Sequence, residues 1–203
     1  MHHYTAVGWV SVPIPFKSKA PLISDWQTWT LEQSAAATWL PDSNVGVLLG
    51  AKSGDLVDVD LDCIESLPFA DEYLPPTLSF GRHGRPASHR LYKSVIESSS
   101  YRHERKTLVE IRSNGRQTVF PPSTHPTGEQ ITWVSPALPL QVIVPKDLEI
   151  AVGKVAAGSL LVQCWPRSGR HAAQLALAGG LLLAGWTTAA PLLVLRLVCK
   201  GTG

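Results

Sequence analysis

Leu56-Val57-Asp58-Val59-Asp60-Leu61-Asp62 alternates strictly between apolar and acidic residues. Successive side chains of a strand point to opposite faces. Val57, Val59 and Leu61 are therefore expected on a buried face, and Asp58, Asp60 and Asp62 on the other. Aspartate is a poor strand former, and carboxylates spaced about 7 Å apart along one strand repel one another. A divalent cation would offset that repulsion, since Mg²⁺ and Mn²⁺ prefer carboxylate oxygens. A solvated acidic face is the other reading of the same pattern. Glu110 stands between Val109 and Ile111 in a second strand-like run, Thr107 to Arg112. Alone it reads as a surface residue; beside the aspartate strand it would complete a three-carboxylate site. Such a site can hold two cations about 4 Å apart, an arrangement suited to in-line displacement at phosphorus. Between the two acidic strands lies Ser88-His89 among several arginines. An imidazole and a hydroxyl there can donate to phosphate oxygens, or serve only structure.

Charge is distributed in keeping with such a site. Residues 55–72 hold seven Asp and Glu and no Lys or Arg, whereas residues 82–116 hold nine Lys and Arg against three Glu, although the whole chain nets only +2. Cations and polyanions held together would use both stretches; two separate solvated faces would also produce them. The three cysteines, Cys63, Cys164 and Cys199, are far apart and form no CxxC pair, so neither a zinc ribbon nor a disulfide framework is indicated. A reducing, cytoplasmic setting is expected. The N-terminus lacks the basic region and apolar core of a signal peptide.

The elements that would position these residues can be read in order. Residues 1–30 are irregular and rich in Pro and Trp, and Leu31–Leu40 is expected as a short helix ended by Pro41. Strands are expected at Val45–Leu49, Leu56–Leu61, Thr77–Phe80, His89–Lys93, Thr107–Arg112, Gln117–Phe120 and Ile131–Trp133, with a short helix near Cys63–Tyr73 weakened by Pro68. This describes a mixed α/β (α+β) domain over 1–145. Residues 146–203 are expected as a linker, Pro145–Gly158, followed by a helical, apolar segment with a helix over Gly169–Trp186. From Ala172 to Leu195 no residue is charged. That length admits a membrane span, but Gly179-Gly180, Thr187-Thr188, Pro191 and Arg196 favour a buried helix with an irregular tail.

Taken together, several segments over about residues 4–135 resemble the bifunctional primase–polymerase (Prim-Pol) N-terminal domain of the archaeo-eukaryotic primase superfamily. They are Gly8-Trp9 with Val12-Pro13-Ile14-Pro15, Lys19-Ala20-Pro21, Asn44–Gly50, the Asp60-Leu61-Asp62 pair, Ser88-His89, Glu110-Ile111-Arg112, and Pro121-Pro122-Ser123-Thr124-His125-Pro126-Thr127-Gly128. Their order and spacing make the match more specific than any one piece. The resemblance implies a primase-like α+β core in which an RRM-like sheet carries the carboxylates, with a short C-terminal helical segment. It also implies catalytic metal ligands at Asp60, Asp62 and Glu110, and nucleotide-binding residues at Ser88, His89 and Arg112. Asp58 occupies a position where the family usually has an apolar residue and is expected to be accessory. Ala87 stands where the family often has Ser, which leaves the role of Ser88 open. Arg116 is a further phosphate or template candidate, and Pro121–His125 is expected to shape a loop beside the nucleotide pocket.

The function implied is template-directed nucleotidyl transfer, by a DNA primase and polymerase using two Mg²⁺ or Mn²⁺ ions. Its partners would be single-stranded DNA, NTPs or dNTPs, and a replicative helicase domain or protein of a plasmid, phage or integrated element, with no membrane. A non-catalytic single-stranded DNA-binding remnant, with Trp and Tyr stacking bases, and a metal-dependent phosphohydrolase or nuclease are the rival readings. After Trp186 the resemblance fades into an apolar tail, as expected of a truncated or frame-shifted product or a fragment of a larger replication protein. Protease sensitivity beyond about Ala151 is expected with it.

Overall fold

A computed structural model describes residues 3–184 and 194–199. The elements in order are α1 (His3–Ala6), β1 (Ser11–Ile14), α2 (Leu31–Ala36), β2 (Asn44–Leu48), β3 (Leu56–Leu61), α3 (Ser66–Tyr73), β4 (Ser79–Arg82), β5 (Arg85–Lys93), β6 (Ser99–His103), β7 (Lys106–Arg112), β8 (Gln117–Phe120), β9 (Ser123–Thr124), β10 (Gln130–Trp133), β11 (Gln141–Val142), α4 (Pro145–Gln163) and α5 (Arg170–Leu183). Residues 194–199 are also helical. The expected α+β class is borne out.

The strands form two sheets. The large sheet runs β6-β7-β3-β5-β4-β10-β9, with β11 also paired to β5, and the small one runs β1-β2-β8. The aspartate strand β3 lies inside the large sheet, antiparallel to both β5 and β7. Its Val57, Val59 and Leu61 are buried with Val109, Ile111 and Tyr92 against Phe69 of α3 and Leu148, Val152 and Val155 of α4. The opposite face buries Leu56, Leu91 and Phe80 against Val45, Val47 and Phe120 of the small sheet. The large sheet is thus covered by helices on one side and partly by a second sheet on the other. Beyond the rim of the small sheet, the acidic face of β3 opens into a cleft.

The stretch expected as a linker, 145–158, is instead the first part of α4. Pro145 opens this helix, and Leu148, Val152 and Val155 are fully buried along one side of it. Burying each such side chain contributes about 1.5–3 kcal/mol, enough to dock the helix on the sheet. Gly158, the last residue of the expected linker, is a contact residue: a Cβ there would lie 2.4 Å from the Phe69 ring. Three other expectations shift. The helix from Leu31 ends at Ala36 and starts with a capping box between Thr30 and Gln33. The strand expected from Thr77 starts at Ser79, because the Thr77 hydroxyl donates to the Leu91 carbonyl at 2.5 Å. Pro68 sits near the start of α3, where a missing N–H breaks no helical bond. Strands β1, β6, β9 and β11 were not expected, and α5 continues through Gly179-Gly180. No described helix is long and apolar enough to cross a membrane. Most of the apolar tail expected to be a truncated end lies outside the described residues.

Candidate metal and nucleotide site

Register brings the acidic residues together. Asp60 of β3 pairs with Glu110 of β7 on one side and with His89 of β5 on the other. Cross-strand partners share a face and lie close together, so all three stand on the acidic face of the sheet, where Asp60 and His89 line the cleft. Asp62 follows just past the strand, where its N–H bonds to the Leu108 carbonyl. Carboxylate oxygens of Asp60, Asp62 and Glu110 all come within 4.8 Å of one another. Asp60 and Glu110 keep 16% and 24% of their side chains exposed, so a ligand can reach them. Burial, reinforced by the charges of Asp60 and Glu110, pushes the Asp62 carboxyl up to about 6. An all-oxygen set under mutual repulsion is the chemistry that suits a hard divalent cation, and the three residues could hold one. Arg112 is the nearest cation, 3.5 Å from Asp60 and 3.4 Å from Glu110, and offsets part of the repulsion.

Asp58 does something different. It is fully buried under the small sheet, where it accepts a hydrogen bond from the Thr118 hydroxyl at 2.7 Å and bonds His89 Nδ1 at 3.0 Å. Arg112 reaches the same group by donating to Thr118 Oγ1 at 3.0 Å. Burial would raise the Asp58 carboxyl, but His89, Arg112 and the Thr118 hydrogen bond outweigh it and hold it below the usual carboxylate range. Oxygens of Asp58 and Asp60 and a His89 nitrogen also lie within 4.8 Å of one another. Both Asp58 oxygens are committed to His89 or Thr118, so this second cluster is an internal hydrogen-bonded network.

His89 is held from two sides. Its ring stacks on Phe80 with centroids 4.7 Å apart and planes 15° apart, and Asp58 engages Nδ1. Burial lowers its basicity, yet Asp60 and Asp58 overcome this and raise its pKa to about 8. With Nδ1 bonded to a carboxylate, the imidazolium presents Nε2–H as its remaining donor. Ser88 borders the cleft and is buried. By strand parity it belongs with Arg90 and Tyr92, which turn to the helical face to meet Asp71 and the core.

The cleft is a cavity of about 110 Å³, and its lining adds Lys19, Arg82, Arg85, Gln117, Thr118 and His125 to the residues anticipated from the sequence. Gly81 is needed where β4 turns into β5, since a Cβ there would lie 2.3 Å from the Arg85 carbonyl oxygen. Arg82 and Arg85 were visible only as members of a basic run, and His125 only as part of a loop motif. Thr118 carried no signal, because its partner Asp58 is 60 residues away. Arg116 does not line the cleft.

No curated protein matches the chain significantly. A family model does: residues 1–147 match the bifunctional DNA primase/polymerase N-terminal domain, so the chain, whose acidic strands meet in a cleft able to hold a metal ion, belongs to the Prim-Pol family.

Proposed function

We propose that this chain catalyses template-directed nucleotidyl transfer in the cleft, as a DNA primase and polymerase of a replicating plasmid, phage or integrated element. The observation that carries the reading is the convergence of Asp60, Asp62 and Glu110 within 4.8 Å, at the positions the Prim-Pol resemblance marks as metal ligands. These three side chains would hold Mg²⁺ or Mn²⁺, and a bound ion pair would supply activation of a 3′-hydroxyl and neutralisation of the departing pyrophosphate. His89, locked between Phe80 and Asp58, donates from Nε2 to a phosphate oxygen. Arg112 offsets part of the repulsion among the carboxylates before substrate arrives, and it faces the incoming phosphates. The hydroxyl of a primer or initiating nucleotide attacks the α-phosphorus in line, and pyrophosphate leaves. Because the donors are fixed by strand pairing, little reorganisation accompanies the reaction.

Primer extension and primer synthesis on single-stranded DNA, with NTPs or dNTPs and Mn²⁺, test this. Wild type yields product, and Asp60→Ala and Asp62→Ala abolish it. Absence of product from wild type refutes the proposal, and cleavage of the DNA in place of extension selects a nuclease. Full activity in both variants removes the site assignment.

A further inference from the structure

Strand β6 is the outermost strand of the large sheet, and among the described residues it pairs only with β7. Two other rims are closed. The Ser34 hydroxyl of α2 accepts from Ser11 N–H at 2.7 Å and donates to the Ser11 carbonyl, at 2.6 Å, which ties α2 along the β1 edge. Strand β9 abuts β2, where Ser123 Oγ accepts from Val45 N–H at 2.9 Å. The direction in which β6 is open follows from its neighbours. Asp62 N–H bonds to the Leu108 carbonyl, so Leu108 and, by alternation, Glu110 turn their backbone groups to β3. Val109 and Ile111 turn theirs to β6, where they meet Tyr101 and Ser99. Ser100 stands between these two and therefore points its N–H and C=O outward, where no described group bonds to either. A free strand edge of this kind is a template for pairing with another strand.

Charge is unequal along this edge. Glu97 is exposed just before the strand, and Glu149 lies across a groove from Ser99 and Ser100, with Lys146 3.7 Å from it and Ile150 half exposed. Past Tyr101 come Arg102, Arg105 and Lys106, all exposed, against Glu104 alone. One end is thus acidic on balance and the other basic. Antiparallel pairing with an identical edge brings opposite ends together, whereas parallel pairing would set like beside like. An unrelated strand would gain the backbone bonds without this match at both ends. With Ser100 at the centre, Ser99 faces the second copy's Tyr101, Ser98 its Arg102, and Glu97 its His103, next to Arg102. The paired Ser100 residues exchange both N–H···O=C bonds, as a hydrogen-bonded pair of an antiparallel ladder does. The β6–β7 register shifts between Tyr101 and Arg102, so the regular part of the strand is the part at the centre. A two-fold contact also closes both free edges at once and does not propagate.

We propose that β6 is a self-association edge: two copies of this chain pair antiparallel about a two-fold axis at Ser100, with Glu97 of each opposed to the Arg102 end of the other. The large sheets of the two copies become one. Ser100 stands opposite Glu110, and Glu110 opposite Asp60, so the same row of residues runs straight through the axis. Both acidic faces then lie on the same side of the joined sheet, with the two Asp60 residues five strand spacings, or about 24 Å, apart. The pairing stands or falls independently of the nucleotidyl-transfer reading.

Sedimentation equilibrium of the full chain, from low to high micromolar concentration, provides the test. Wild type is expected to pass from the 22.0 kDa monomer to a species of twice that mass. Amide exchange followed by mass spectrometry should slow over 98–102 in step with it. Ser100→Pro removes the outward N–H and no bond to β7, and is expected to keep the chain monomeric with its far-UV circular dichroism unchanged. Glu97→Arg and Arg102→Glu are each expected to weaken the dimer about tenfold, since each sets like charges together in both symmetric contacts. The double variant, Glu97→Arg with Arg102→Glu, is expected to recover wild-type association within about twofold. Both side chains are exposed, so this exchange stays readable even if Ser100→Pro fails to fold. A monomer at every concentration, a dimer untouched by a folded Ser100→Pro, or a double variant no better than the single ones would each overturn the proposal. Protection of 98–102 by single-stranded DNA in a chain that stays monomeric would overturn it too, and would assign the edge to nucleic acid.

Discussion

Replacing Asp58 by Asn probes the network on which His89 depends. The substitution keeps the shape of the side chain and an acceptor for Thr118, but removes a buried negative charge 3.0 Å from His89 Nδ1. The rise of His89 from 6.5 to about 8 corresponds to about 2 kcal/mol of preference for the imidazolium. Asp58 and Asp60 oppose the effect of burial jointly. With Asp58 neutral, Asp60 alone faces burial and the repulsion of Arg112, and His89 should titrate at or below 6.5. The sign follows for stability. A raised histidine pKa contributes stability that is fully present below 6.5 and lost as pH rises through about 8. Wild type should therefore lose about 2 kcal/mol between pH 6 and 9 from this group, and Asp58→Asn should lose little. Breaking a buried pair also costs about 3–5 kcal/mol overall, so the variant should be less stable at pH 6 in particular. The measurements are proton–carbon NMR titration of His89 and urea denaturation at both pH values. A His89 that still titrates near 8 in Asp58→Asn would refute the assignment of its basicity to Asp58.

Four other outcomes are expected. Protons compete with a cation at Asp62, whose carboxyl is raised to about 6; apparent Mn²⁺ affinity, measured by electron paramagnetic resonance, should fall as pH drops below 6 and level off above 7, and a flat profile would exclude Asp62 as a ligand. Without metal the same raised carboxyl makes the fold gain stability as pH falls through 6 towards the ordinary value of 3.8, a gain that saturating Mn²⁺ should remove in parallel melts. Gly158→Ala forces a methyl into Phe69 and should destabilise the chain by about 1–3 kcal/mol in urea; a neutral result would mean α4 is not docked as described. Limited proteolysis should spare the buried positions Leu148 to Ser159 of α4, contrary to sensitivity from Ala151 onward, and early cleavage there would contradict the packing of α4 on the sheet.

Local pattern and non-local contact contributed separately to this protein. Strict alternation over 56–62 is a backbone property, since one side chain per 3.3 Å of strand must alternate faces. The acidic and apolar faces of β3, the Thr107–Arg112 and Gln117–Phe120 strands and the α+β class were accordingly legible in the sequence. The family motifs singled out Asp60, Asp62 and Glu110 from other acidic residues. What they could not convey is that Asp60 stands opposite Glu110 and His89 at once, because register between strands 30 and 50 residues apart depends on how the whole sheet pairs. Helix α4 replaces the linker expected over 145–158 because it is held by non-local packing, in which Gly158 is small enough to admit Phe69 from another helix. Asp58 looked like a third exposed carboxylate, equal to its neighbours by alternation. Only the tertiary structure, by laying Thr118 and the small sheet over that end of β3, buries its charge and turns it from a ligand candidate into the partner of His89.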